Sequence, residues 1–117
     1  MSATFKSKHP FEARQSESAR MLAKYPQRVP IIVQPHPLTK PPPIDKAKYL
    51  VPRDITLGQF LHCIRMRLKL HEAAALFLLV ESELLPMSML AGAVYEAKCD
   101  RDGFLYVFYS TESAFGS

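Results

Sequence analysis

Residues 104–109 (FLYVFY) are the densest aromatic and β-branched run in the chain, with no glycine or proline inside it. A short apolar run bounded by turn signals predicts a strand covered on both faces, and such a strand lies at the centre of its sheet. The rest of the fold has to be laid around it. The run ends abruptly. Residues 110–113 are polar, and the chain closes on Ala114, Phe115, Gly116 and Ser117. Taken by itself, that ending is a frayed terminus.

The preceding chain supplies the partners for this strand. Residues 4–8 suit one helical turn, and His9-Pro10 breaks it, because the residue before proline avoids the α region. Residues 11–25 follow as a helix with Phe11, Ser18, Leu22 and Tyr25 on one side, ended by Pro26. Residues 28–34 (RVPIIVQ) predict the first strand. Residues 35–43 hold half of the ten prolines. They suit a stiff hairpin loop or a PxxP-type ligand, and strands on both flanks favour the loop. Residues 48–52 (KYLVP) predict a second strand, with lysine and proline marking it as an edge. Thr56 is a candidate N-cap for a helix carrying Leu57, Phe60, Leu61, Ile64 and Leu68 at i, i+3, i+4, i+7 spacing. Residues 76–80 predict a third strand, 84–88 a proline turn, and Ser88 a cap for a short helix. Asp102-Gly103 then turns into the last strand. Without the first two helices the order is ββαββ. The fold class expected is α+β, a ubiquitin-like β-grasp with a four-stranded mixed sheet and two extra N-terminal helices. Its first and last strands lie parallel and central. The units expected are an N-terminal helical subdomain (1–26), a ubiquitin-like core (27–110) and a flexible C-terminal tail (111–117).

Charge narrows the partners. Residues 1–53 carry ten basic against three acidic side chains, and residues 54–117 five against eight. A basic half suits nucleic acid, an anionic membrane, acidic peptides or plain solvation. Surface aromatics interleaved with Lys/Arg would favour nucleic acid, and none stand out, so no nucleic-acid partner is expected. Two cysteines are too few for a disulfide scaffold and fit a reducing, cytosolic setting. No signal peptide, membrane-spanning run, CaaX box or myristoylation glycine is expected.

Catalytic chemistry is hard to assemble from these residues. His62 and Cys63 are helix neighbours and do not face each other. Cys63, near the apolar stripe, reads as a buried small hydrophobe. The four histidines lack metal-ligand spacing, and there is no Gly-rich phosphate loop. No catalytic residue, metal or cofactor is expected, and the chain is not read as an enzyme.

Three long colinear stretches then stand out: 8–34 (KHPFEARQSESARMLAKYPQRVPIIVQ), 45–68 (DKAKYLVPRDITLGQFLHCIRMRL) and 104–116 (FLYVFYSTESAFG). Together they resemble the autophagy ubiquitin-like modifiers of the light chain 3 and GABA-receptor-associated protein type. The resemblance implies two functions. The first is conjugation. A cysteine protease acting at Phe115, Gly116 and Ser117 would free Gly116, which activating and conjugating enzymes would join to phosphatidylethanolamine. Glycine suits a narrow enzyme channel because it has no Cβ. The second is peptide capture by β-augmentation on 48–52, for cargo receptors carrying an aromatic residue, two spacers and an aliphatic residue. The implied aromatic pocket is Glu17, Met21, Pro30, Lys48, Leu50 and Phe104. The implied aliphatic pocket is Tyr49, Val51, Pro52, Ile55, Phe60 and Cys63. Tyr25 is placed with the peptide-binding set, and Arg28, Lys46 and Arg67 with acidic flanks or peptide carbonyls. The location implied is cytoplasmic, and the autophagosome membrane once lipidated. The alternative is a non-lipidated adaptor of the same fold in vesicle trafficking or on microtubules, with tubulin as its partner. The sequence departs from the family at Pro41-Pro42-Pro43, at Met21 and Cys63 where aliphatics are commoner, and in the short segment after Gly116.

Overall fold

The computed structural model describes residues 4–112. Helix α1 (Phe5–Lys8) opens with a capping box between Thr4 and Ser7. Helix α2 (Phe11–Lys24) follows Pro10. Strand β1 (Arg28–Pro35) runs through the proline loop to β2 (Lys48–Pro52). Helix α3 (Leu57–Leu68), strand β3 (Phe77–Val80), strand β4 (Glu83–Leu84), helix α4 (Ala91–Lys98) and strand β5 (Leu105–Ser110) complete the order.

The strands form one sheet in the order β2-β1-β5-β3-β4. β1 and β5 pair in parallel from Ile31↔Leu105 to Pro35↔Tyr109, and the other pairs are antiparallel. The ubiquitin-like order, the central parallel pair and the β2 edge agree with the sequence. Pro30 sits opposite Leu50 at a position where backbone groups point away from the partner strand, since the bonded pairs flank it at Val33 N–H to Ala47 C=O and Arg53 N–H to Gln27 C=O. Its missing N–H therefore costs β2 nothing, and pairing with β5 begins one residue later.

Among the described residues the sheet has five strands rather than four. The extra one, β4 (Glu83–Leu84), overlaps the expected 84–88 proline turn only at Leu84. Glu81 and Ser82 both take positive φ, 52° and 70°, and fold the chain straight back on β3. Two positive-φ residues favour Asn-Gly in such a hairpin, and Glu-Ser gave no signal of it. Replacing the pair by Asn-Gly (E81N/S82G) is expected to stabilise the protein by about 1 kcal/mol. An unchanged or lower urea midpoint would show that the turn carries no strain.

One sheet face carries the main core. Val29, Ile31 and Val33 of β1, Leu78 and Val80 of β3, and Leu105, Val107 and Tyr109 of β5 pack with Leu57, Phe60 and Ile64 of α3 and Val94 and Tyr95 of α4. Thr56 caps α3 through Gln59, as its sequence indicates. The N-cap of α4 is Leu90 rather than Ser88, with no side-chain cap bond. Residues 87–90 are instead drawn onto the start of α3, where Leu57 N–H and Gly58 N–H donate to Met89 C=O and Met87 C=O. These carbonyls satisfy two of the donors that a helix start leaves free.

The opposite face of β5 is covered only in part. Phe104 is fully buried, whereas Tyr106 and Phe108 are half-buried. The expectation of complete burial on both sides holds for the start of the run and fails beyond it. Its covered end is fixed by α1 and α2. The Phe5 ring meets Phe104 edge-on at 5.3 Å, and Ser18 Oγ–H donates to Asp102 C=O. Gly103, at φ 90°, lies against that serine, and a Cβ there would fall 2.2 Å from Ser18 Oγ. A side chain would therefore disturb both the turn and the α2 contact.

Candidate functional site: an open strand edge between two side-chain clusters

Among the described residues β2 is the last strand on its side of the sheet. The pairing register points the backbone groups of Lys48 and Leu50 away from β1, toward that free edge. The Arg28 guanidinium lies 3.4 Å from the Leu50 carbonyl, at the edge an added strand would use.

On the α2 side, Lys48 pairs with Glu17. Its Nζ also lies 5.8 Å from the centre of the Phe5 ring. Pro30 is buried, and Met21 and Leu50 are half-buried. Phe104 is the deepest member, covered by Phe5. Phe5 was missed in the sequence. Its only signal is a lone aromatic in a polar stretch.

On the α3 side, Tyr49 meets Phe60 edge-on at 5.6 Å, with Lys46 Nζ 5.0 Å above its ring. The Tyr49 hydroxyl is buried without a hydrogen-bond partner among the described residues, and burial pushes its phenol above the ordinary value. Val51 and Phe60 are buried, and Pro52 and Ile55 half-buried. Cys63 departs from its reading, since its side chain is exposed. It precedes Ile64, the buried position of that turn, and falls outside the apolar face. Arg67 forms a two-pronged pair with Asp45 at 3.0 and 3.1 Å. That hydrogen bond, before any other effect, holds the Asp45 carboxyl below the usual carboxylate range. Arg67 and Lys48 thus already have acidic partners within the chain. Tyr25 is exposed beside Lys24.

Phe115, Gly116 and Ser117 lie outside the described residues. Among the described residues no helix is long and apolar enough to cross a membrane, and no three acidic, His or Cys groups are placed to hold a metal.

The family described as "Autophagy protein Atg8 ubiquitin like" matches residues 13–116. The chain belongs to this family. The rice (Oryza sativa subsp. indica) protein Autophagy-related protein 8A is 50% identical over 114 residues, covering 97% of this chain and 96% of the rice protein. Autophagy-related protein 8a of Arabidopsis thaliana is 49% identical over 115 residues, covering 98% and 94%. The crystal structure of Trypanosoma brucei ATG8 superposes with a TM-score of 0.90 at 38% identity, covering 99% of this chain and all of that one. The Atg8 assignment fits the ubiquitin-like sheet and the two helices that precede it. It also places the protein in autophagy.

Proposed function

We propose that this Atg8-family chain is a ubiquitin-like modifier that is processed after Gly116, joined to phosphatidylethanolamine, and used on autophagosome membranes to gather cargo receptors. The observation that carries the receptor half is the open β2 edge set between an α2-side and an α3-side cluster. An extended peptide would add its backbone to Lys48 and Leu50, with its aromatic residue toward Met21, Leu50 and Phe104 and its aliphatic residue toward Tyr49, Ile55 and Cys63.

The chain is the substrate in the conjugation chemistry, and other proteins do the catalysis. A cysteine protease hydrolyses the Gly116–Ser117 bond, water supplying the new carboxylate and amine. ATP converts the Gly116 carboxylate to an adenylate with loss of pyrophosphate. An enzyme thiol displaces AMP to form a thioester. The amine of phosphatidylethanolamine then displaces the thiol and forms an amide. Two acyl chains are enough for stable anchoring where one is marginal, each buried CH₂ contributing about 0.8 kcal/mol.

The receptor half is tested by calorimetry with an aromatic-x-x-aliphatic peptide. Leu50→Ala combined with Tyr49→Ala is expected to weaken binding by about 2 kcal/mol or more, roughly thirty-fold. Unchanged affinity in a variant that still unfolds cooperatively would reject the assignment.

A further inference from the structure

We propose that the proline-rich loop between β1 and β2 clamps the root of the C-terminal segment, and that Thr39, Pro42, Tyr109 and Ser110 are positioning residues for cleavage after Gly116. The inference rests on the processing reading above and adds to it the part of the body that aims the cleaved bond.

The end of a strand frays unless something beyond the ladder holds it. Here several contacts do. His36 N–H donates to Tyr109 C=O at 2.9 Å. The Tyr109 hydroxyl reaches across to the Pro42 carbonyl at 2.5 Å. Ser110 Oγ lies 2.9 Å from Thr39 Oγ1 and 2.8 Å from the Glu112 carbonyl, and accepts the Glu112 N–H at 3.1 Å. One serine proton serves one of these oxygens, and the Thr39 hydroxyl supplies the other. Tyr109 and Ser110 are both fully buried. Burial pushes the Tyr109 phenol up to about 12, so it remains a donor at neutral pH.

The loop is suited to hold rather than follow. Pro41, Pro42 and Pro43 each lock φ, so the carbonyl that receives the Tyr109 hydroxyl starts with little conformational freedom. Pro41 is itself buried, and His36 meets Phe108 edge-on. These contacts link the first hairpin to the last strand across 67 positions for Tyr109–Pro42 and 71 for Ser110–Thr39.

Geometry gives the clamp a use. From Glu112 to Gly116 is four residues, a reach of at most about 14 Å. With the root fixed at Glu112, chain length alone limits how far from it the scissile bond can lie. An enzyme that grips body and tail together meets it at high effective concentration. If β5 lets go at Tyr109, the tether lengthens and that concentration falls. Once the bond is in the enzyme channel, the root no longer matters. The expected signature is therefore a change in KM and not in kcat.

The test uses the full chain with an Atg8-processing cysteine protease, following loss of Ser117 by intact mass. Thr39→Val and Tyr109→Phe keep shape and ring packing while removing the hydroxyls. The double variant is expected to raise KM about three-fold or more with kcat within about two-fold of wild type. Thr39→Val alone, which touches no buried ring, is expected to show a smaller shift in the same direction. Thr39→Ser, which keeps the hydroxyl, is expected to behave as wild type. An unchanged KM, a fall in kcat at constant KM, or a Thr39→Ser defect equal to that of Thr39→Val would overturn the clamp. If variants and wild type are cut alike, only the clamp falls. If the wild type keeps Ser117, processing at Gly116 falls, and the clamp with it.

Discussion

Gly116→Ala is expected to abolish membrane attachment in cells. The proposed chemistry passes the residue-116 carbonyl through a protease, an adenylating site and a thioester, each time in a channel that must admit the backbone itself. Glycine presents no Cβ to such a channel and accepts backbone angles that alanine resists. The effect is close to all-or-none, because a chain that fails at the first enzyme never receives its acyl chains. Fractionation and imaging of the tagged variant would read it directly. Puncta and membrane fraction equal to wild type would eliminate lipid conjugation and favour the soluble adaptor of the same fold. The variant leaves the body intact, so its receptor peptides should bind as before.

The second large effect is expected at Asp102, and it concerns stability. Its side chain has no solvent exposure and pairs with Arg14. The same oxygen, Oδ2, accepts Arg14 Nη1–H and the Tyr106 hydroxyl, Oδ1 accepts Phe104 N–H, and the backbone carbonyl accepts Ser18 Oγ–H. One residue thus joins α2, the final turn and β5. Burial first, and the Asp102 bond second, raise the Tyr106 phenol well above its ordinary value. Asp102→Ala removes the acceptor of Arg14 Nη1–H, the Tyr106 hydroxyl and Phe104 N–H together, the Arg14 guanidinium keeping its Nε bond to the His9 carbonyl. Leaving buried donors without an acceptor costs about 1–3 kcal/mol each, so the variant is expected to lose about 3 kcal/mol or more. For a chain of this size that lowers Tm by about 10 °C or more. Asp102→Asn keeps the shape and an acceptor, and is expected to lose less. A urea-unfolding loss below about 1 kcal/mol for Asp102→Ala would show that α2 is held by packing alone.

What could be read in the sequence follows the range of the interactions. Thr56 and the α3 stripe are local, so capping chemistry and 3.6-residue spacing give them directly. The FLYVFY run gives the central strand, and Lys48 and Pro52 give the edge. β4 was not legible because Glu-Ser does not announce a two-residue hairpin. Ser88 was misjudged because the start of α3 and residues 87–90 bond to one another, a pairing no local window contains. Cys63 was misplaced by a single residue on a helix, where one step turns a side chain by about 100°. Phe5 and Asp102 act through partners across the fold, Asp102 meeting Arg14 88 positions away. The peptide clusters came from the family resemblance. Periodicity alone gives Leu50 and Tyr49 as ordinary strand residues.

The parallel pairing of β1 with β5 has a mechanical consequence. A chain tethered through its C-terminal end and tugged by a receptor on β2 would feel tension along the strand axes. Between β1 and β5 that tension shears five registered pairs at once, rather than unzipping them singly from one end. The body would then transmit a pull between vesicle and cargo while keeping its shape.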